Sequence, residues 1–432
     1  MPELIQIDAT RPIARAVTIG AIILSLLASW FVGRWYLGNT LAEYLDPDEH
    51  ELSMARTAVS LAPNDPLTHW RLGIMTEKRL TPDQMQHAVS EYEKAVALSP
   101  NDYRFWSQLG MGLEQLGDDA RAEKALRTAT DLAPSYAYPR WNLGNLLLRD
   151  GRYEDGFAEL RRASTADPVF RPQLFNLAWE VYKDDIESLK SAVGSTSEAR
   201  AQFASYLVSR QRVEDGIRLW HTLTVAEKQT NRSAGETIVG ALIGSHRYYQ
   251  AAEVANNLVP GPAYHATEGK IIDSGLEENL SPQKGAVFGW QVTQMPQTQV
   301  GIDAGRSHSG SRSLRLVFQV RARLDAIKVS QLVLIKPDSE YELEYYVKTE
   351  KLQSGATPYI EIFDPAAGAV IGSSEVAQDR DSDWKRVALT FKTGNKSEAV
   401  TLRVARGSCG QDPVCPIFGT LWYDDFNLKR RN

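Results

Sequence analysis

Pro100, Pro134 and Pro168 stand 34 residues apart, and the small residues between them repeat on the same spacing. Leu109-Gly110 recurs as Leu143-Gly144, Gly117 as Gly151, Ala122 as Gly156 and Ala129 as Ala163. Self-similarity at such a period marks a stacked supersecondary unit. The order of residues describes two helices and a turn. Leu-Gly lies mid-way along a first helix, glycine follows at the turn, and a small residue sits early in a second helix. Small residues let the two helices approach closely, and the proline ends the second helix. One such unit cannot bury its apolar face alone. It must stack on neighbours, which leaves an extended concave surface. A chain of this kind is expected to bind rather than to catalyse.

In spacing and residue chemistry this stretch resembles the tetratricopeptide repeat. The resemblance implies a superhelix with a partner held in its groove. A preceding unit runs from Pro66 to Pro100, with Leu72-Gly73, Ala88, Tyr92 and Ala95 in place. Gly73 to Gly110 is 37 residues, and the loop from Arg79 to Asp83 accounts for the excess. Asp48 to Leu61, with Ala55, Ala58 and Pro63, matches the second half of a still earlier unit. Its first half would be an extension of the apolar helix upstream. Beyond Pro168 the pattern weakens: Ala178 keeps the register, and Asp184 to Ser197 reads as an insertion. The turn motif Arg152-Tyr153-Glu154-Asp155-Gly156 returns as Arg212-Val213-Glu214-Asp215-Gly216 and loosely as Arg247-Tyr248-Tyr249-Gln250-Ala251. Five or six helical pairs ending near Leu258 are expected, a solenoid over residues 37–260. Trp106 matches the family's packing position. Trp70 and Trp141 are displaced by one residue and are the candidates for the protein-binding groove, with ordinary core packing as their other role.

Ala16 to Gly33 carries no charge over 18 residues. As a helix it is about 27 Å long, close to the hydrocarbon thickness of a bilayer. Arg15 and Arg34 bracket it, and Trp30, Trp35 and Tyr36 cluster where an interfacial belt belongs. No small-residue cleavage site follows, so the segment predicts a retained transmembrane anchor over 13–36. Arg11 and Arg15 precede the span, whereas Arg34 alone follows it closely. The positive-inside rule then puts residues 1–12 in the cytoplasm and the bulk of the chain outside the inner membrane. The net charge of −6 gives no reason to expect a nucleic acid.

Pro260-Gly261-Pro262 breaks the helical run. Short alternating stretches follow: Ser313 to Leu324, Tyr341 to Lys348, Tyr359 to Phe363, Arg386 to Lys392 and Ala399 to Ala405. They predict an antiparallel sandwich or jelly roll over residues 263–432. The fold class is thus multidomain: a transmembrane helix, an all-α solenoid, then an all-β sandwich. The two cysteines, Cys409 and Cys415, suit a small disulfide loop better than a metal site, although two free thiols are the other reading.

The order of motifs in this last segment resembles the jelly-roll carbohydrate-binding modules of xylanases and cellulases. The likeness lies in Asp273-Ser274-Gly275-Leu276-Glu277 followed by Trp290, in Gly310 to Leu316, in Tyr341 to Lys348, in Asp383-Trp384-Lys385-Arg386 and in Trp422 to Leu428. It implies a structural Ca²⁺ held by Glu277 and Asp424, since hard oxygen ligands suit that ion; no other cofactor is expected. It also implies a polysaccharide on one sheet face. Alternation places Tyr359, Glu361 and Phe363 outward. Along Leu314 to Leu324 it turns Arg315, Gln319, Arg321 and Arg323 away from the core, and a face with Arg321 and Arg323 could meet an acidic glycan. Trp422 alternates outward, whereas Trp290 and Trp384 match core positions. A solvated face, or a seat against the repeats, is the competing reading.

The seven histidines are scattered, and neither a nucleophile elbow nor a phosphate loop is present. Gly110, Gly112 and Gly117 belong to the repeat. Glu342 and Glu344 could in principle serve glycoside hydrolysis, but they share one strand face. The sequence therefore predicts a membrane-anchored scaffold of the bacterial envelope, not an enzyme. It would hold a protein in its repeats and a polysaccharide on its sandwich, in a setting such as polysaccharide assembly or export. A glycan-active enzyme and a scaffold without a glycan ligand are the alternatives.

Overall fold

In the computed structural model the structure describes residues 12–44, 52–78, 81–259, 261–280, 286–293, 298–318, 321–323, 327–410 and 414–431. The tail through Arg11, the predicted helix start at Asp48 and the loop residues Arg79 and Leu80 lie outside them. The chain forms two compact units, residues 1–194 and 195–432.

The described residues of the first unit form helices: α1 (Pro12–Tyr44), α2 (Leu52–Leu61), α3 (Pro66–Glu77), α4 (Pro82–Leu98), α5 (Tyr103–Gln115), α6 (Asp119–Leu132), α7 (Ala137–Arg149), α8 (Tyr153–Ala166), α9 (Arg171–Tyr182) and α10 (Ile186–Val193). Consecutive helices pair as the period requires. Asp65, Asp102 and Asp118 cap α3, α5 and α6 by accepting backbone N–H bonds. Gly117 and Gly151 stand at φ +78° and +76°, the left-handed conformation in which glycine carries no steric cost. On the first helices, close approach explains the rest. A Cβ on Gly73 would meet the Tyr92 ring at 2.3 Å, and one on Gly110 would meet Leu126 at 2.5 Å.

α1 is a single helix of two characters. Through residue 33 its large apolar side chains stand in the open. Beyond that point Gly38 and Ala42 are buried, and a Cβ on Gly38 would lie 2.7 Å from that of Ala62. Arg34 donates to the Leu61 and Ser60 carbonyls at 2.9 and 2.8 Å, capping the end of α2. Asn39 donates to Asp65 at 2.9 Å, and Arg71 donates to the Ala42 carbonyl at 2.8 Å. The end of α1 is therefore the first helix of the first pair. The supposed insertion from Asp184 to Ser197 is instead largely α10, the short second helix of a pair. Asp185 caps it, and Leu189, Ala192 and Val193 are buried.

The second unit opens with α11 (Ser197–Ser209), α12 (Val213–His221), α13 (Val225–Thr230), α14 (Arg232–Gly244) and α15 (Tyr248–Ala255). Among the described residues these bring the pairs to seven rather than five or six, plus the extra α13. The turns before α12 and α15 use Gln211 at φ +65° and His246 at +59° where earlier pairs use glycine.

Among the described residues eleven strands follow: β1 (Gln291–Thr293), β2 (Thr298–Asp303), β3 (Ser313–Phe318), β4 (Arg321–Arg323), β5 (Lys328–Leu334), β6 (Glu340–Ser354), β7 (Pro358–Asp364), β8 (Ala369–Ser373), β9 (Arg380–Lys392), β10 (Ala399–Arg406) and β11 (Val414–Arg431). They make two antiparallel sheets, β1-β5-β10-β7-β8 and β2-β3-β11-β6-β9, with β4 also on β11. Trp290, Leu314, Leu316, Tyr341, Tyr345, Ile360, Ile362 and Phe426 belong to the shared core. The predicted strand from Ser313 to Leu324 is described as β3 and β4, both in one register on β11: Phe318 faces Gly419 and Arg321 faces Pro416. Gln319, Val320 and Leu324 lie outside the described residues.

α15 is bonded into the sandwich. The Tyr249 hydroxyl reaches the Ile335 carbonyl at 2.8 Å and Glu268 at 2.9 Å. Asn256 exchanges two bonds with the backbone of Ala266, at 3.0 and 2.8 Å. The last helical pair and the sandwich thus fall within one compact unit, residues 195–432.

Candidate functional site

A cleft of about 590 Å³ opens on the outer face of the five-stranded sheet. Register lays a polar row across its floor: Gln291 faces Ser330, Ser330 faces Arg403, Arg403 faces Glu361, and Glu361 faces Ser373. Lys328 and Tyr359 also line it. Glu361 is only 8% exposed and forms an ion pair with Arg403. The Arg403 guanidinium lies 4.6 Å from the centre of the Phe363 ring, within cation–π range. Burial, then the neighbouring Glu361 charge, pushes the Tyr359 hydroxyl above its ordinary pKa. The Arg403 charge is compensated by Glu361, whereas Lys328 and Arg406 also line the cleft and leave its lining with an excess of positive charge.

This arrangement corrects the expected sugar face. Tyr359, Glu361 and Phe363 share one sheet as alternation requires. Phe363, however, lies against Arg403 rather than standing open as a platform. Arg321 and Arg323 lie on β4, and Trp422 on β11, in strands of the other sheet assembly. Of the two arginines the structure fixes the backbone pairing with Pro416 and Val414, and their side chains are outside the described residues. Trp422 does point away from the core, but it is 3% exposed. Its indole N–H donates to Asp303 at 2.9 Å, and the Arg306 guanidinium covers the ring at 4.7 Å. Trp384 is not core: it is half-buried beside His308, which stacks on Tyr346 at 3.5 Å. Gln291, Lys328, Ser330 and Arg403 were missed. The alternation of Lys328 to Leu334 could have flagged two of them as outward positions.

Glu277 and Asp424 both close on one loop, 308–312. Glu277 accepts from the Ser311 amide at 2.8 Å, the Ser311 hydroxyl at 2.6 Å and the Arg312 amide at 3.2 Å. These bonds hold its carboxyl below the ordinary range. Asp424 is fully buried and accepts from the His308 and Ser309 amides at 2.6 and 3.3 Å. Burial pushes its carboxyl up. Loop N–H and O–H donors thus satisfy part of the lone pairs of both carboxylates. Cys409 and Cys415 form a disulfide, with Cα atoms 5.3 Å apart.

In the repeats, Trp70 is half-buried, with its ring 5.8 Å from that of Phe105. Trp141 stacks on Phe170 at 4.7 Å. Both therefore have packing partners. A separate cleft of about 330 Å³ lies in the second unit, lined by Gln202, Ser205, Asn231, Ser233 and Thr237. It carries no charge.

Comparison with known proteins finds the repeat. Residues 103–136 match the family model described as tetratricopeptide repeat. A curated relative, small glutamine-rich tetratricopeptide repeat-containing protein 2 of Mycosarcoma maydis, is 25% identical over 118 residues, 27% of this chain and 31% of its own length. The chain thus spans about a third of that relative. Among solved structures, MamA from Desulfovibrio magneticus RS-1 is 22% identical and covers 37% of this chain and 90% of its own, with a TM-score of 0.31. Pseudomonas aeruginosa pilF is 17% identical and covers 51% and 97%, with a TM-score of 0.32. A CBM4 structure is 13% identical and covers 38% and 100%, with a TM-score of 0.30. Likenesses at these scores establish nothing about activity or ligand.

Proposed function

We propose that this chain is a membrane-anchored scaffold of the bacterial envelope, with its bulk on the outer side of the inner membrane. Its repeats hold a protein partner, and its sandwich takes a polysaccharide in the five-stranded cleft, in a setting such as polysaccharide assembly or export. The observation that carries the reading is α1. One helix presents an open apolar segment long enough to cross a bilayer and then becomes the first helix of the solenoid. A scaffold built this way has no slack between anchor and groove. Repeats of this kind support partner binding through the concave face. Binding without turnover fits the cleft, where the one carboxylate on the polar row, Glu361, is tied to Arg403. A retaining or inverting glycosidase needs two free flanking carboxyl groups.

Two experiments test this reading. The full chain, purified from membranes in mild detergent, should carry along a defined protein partner and should retain glycans on an array without releasing products. Tyr359→Ala and Arg403→Ala should abolish the glycan signal and leave the protein partner bound. Cleavage of an arrayed glycan would favour the enzyme alternative, and silence on the array would favour a scaffold without a glycan ligand.

A further inference from the structure

The cleft on the five-stranded sheet carries more positive charge than its own residues neutralise. Among the described residues its lining holds three cations, Lys328, Arg403 and Arg406, against one carboxylate, Glu361. Glu361 is spent on Arg403, to which it is ion-paired. Lys328 stands exposed at the start of β5. Antiparallel pairing of Ser330 with Arg403 brings Lys328 to the Arg406 end of β10.

Arg406 is buried where a charge is expensive. Leu402 and Val404 face the core, so Arg406 continues the inward row of β10 and ends the strand behind the cleft floor. It is 7% exposed. Its Nε donates to the Ala356 carbonyl at 3.2 Å, and its Nη2 donates to the Ser354 hydroxyl at 3.0 Å and the Cys415 carbonyl at 3.1 Å. All three acceptors are neutral, and Nη1 has none. Burial lowers the pKa of this guanidinium, and no carboxylate opposes that effect. A buried charge without a counter-charge is destabilising. An anion seated in the cleft supplies one, and so close to the interior the attraction is less screened than in water.

We propose that the polysaccharide taken by this cleft is acidic, with a carboxylate or sulfate group meeting Lys328 over the buried charge of Arg406. Gln291, Ser330 and Tyr359 remain for sugar hydroxyls. This rests on the reading of the cleft as a glycan site and narrows it. The whole chain carries a net charge of −6, so a general attraction to polyanions is not the source of the preference.

The test uses the full chain in mild detergent on a panel of immobilised polysaccharides in matched pairs. Polygalacturonate and alginate stand beside their carboxyl-reduced forms, and dextran sulfate beside dextran, with neutral glucans and xylans in the same panel. The proposal expects at least one acidic member to be retained many-fold over its neutral partner. Retention of only the carboxylate or only the sulfate member identifies the anion. The preference should shrink as added salt shortens the Debye length from about 10 Å at 0.1 M. Lys328→Gln should lose most of it, whereas Lys392→Gln, an equal change of charge at an exposed position of the other sheet, should keep it. Neutral members retained as well as acidic ones would overturn the acidic reading and leave the glycan site standing. Acidic retention that Lys328→Gln leaves untouched would overturn it too. If nothing in the panel is retained, the glycan reading itself fails and this inference falls with it.

Discussion

The pairs α5–α6 and α7–α8 and the pairs α11–α12 and α14–α15 make the same fold with different residues. In the earlier pairs glycine holds the left-handed turn, at 117 and 151; in the later pairs Gln211 and His246 hold it. On the first helices, Gly144 faces Leu160 and leaves no room for a Cβ, which would lie 2.6 Å away. Counting from the shared Arg-led motif, the same position is Ala204 in α11 and Val239 in α14, both buried. On the second helix Gly156 and Gly216 are equivalent, and a Cβ on Gly216 would lie 2.7 Å from the Ala204 carbonyl oxygen, whereas α15 has Ala251 there. The lesson is that the close approach signalled by glycine on both helices of α7–α8 relaxes to one helix in α11–α12 and to neither in α14–α15.

Substitutions can break this equivalence. Gly73→Ala drives a methyl into the buried Tyr92 ring, whose hydroxyl donates to Glu77 at 2.5 Å and cannot swing freely. It should cost about 3 kcal/mol by overpacking, read as a lowered urea midpoint. Gly216→Ala meets backbone in the later pair and should cost about 2 kcal/mol. An unaffected midpoint there would show that the later pairs are looser than drawn. Gly151→Ala has open space but the wrong dihedral, so about 1 kcal/mol is expected. Gln211→Gly should do the reverse and stabilise by about 0.5 kcal/mol, because relief in the left-handed region exceeds the added chain entropy. A loss at Gln211→Gly would mean that its side chain, not its backbone, holds the turn.

The early pairs also carry a pH signature. His69 is buried, with its two ring nitrogens 2.6 Å from Glu91 and 2.8 Å from the Pro63 carbonyl. The hydrogen bond to Glu91 is the main cause that raises its pKa above 6.5. The stability it adds is fully present below pH 6.5 and is lost as pH rises through the raised folded value. Tm should therefore fall over that window, and His69→Leu should flatten the slope. The smallest effect concerns calcium: EGTA should leave Tm unchanged, because loop amides occupy Glu277 and Asp424. A clear rise in Tm with added Ca²⁺ would show those carboxylates turning onto a cation.

Much of the fold was legible where one residue type does one job. The 34-residue period, the extension of α1 into the first pair and the switch to alternating strands all reduce to local chemistry. What stayed hidden depends on partners distant in sequence. α10 looked like an insertion because its small residues are Ala192 and Val193 rather than glycine. Trp422 alternates outward as read, yet Arg306, 116 residues away, covers it. The cleft was half legible: Tyr359 and Glu361 follow from alternation, whereas Gln291 and Ser330 join them only through the order of strands.

The central claim is that one helix both crosses the membrane and begins the repeats. Protease added to intact spheroplasts tests it most directly. The account predicts loss of everything beyond about residue 37, with a short membrane-bound fragment surviving carbonate extraction. A full-length chain left uncut, or recovered in the soluble fraction, would contradict it.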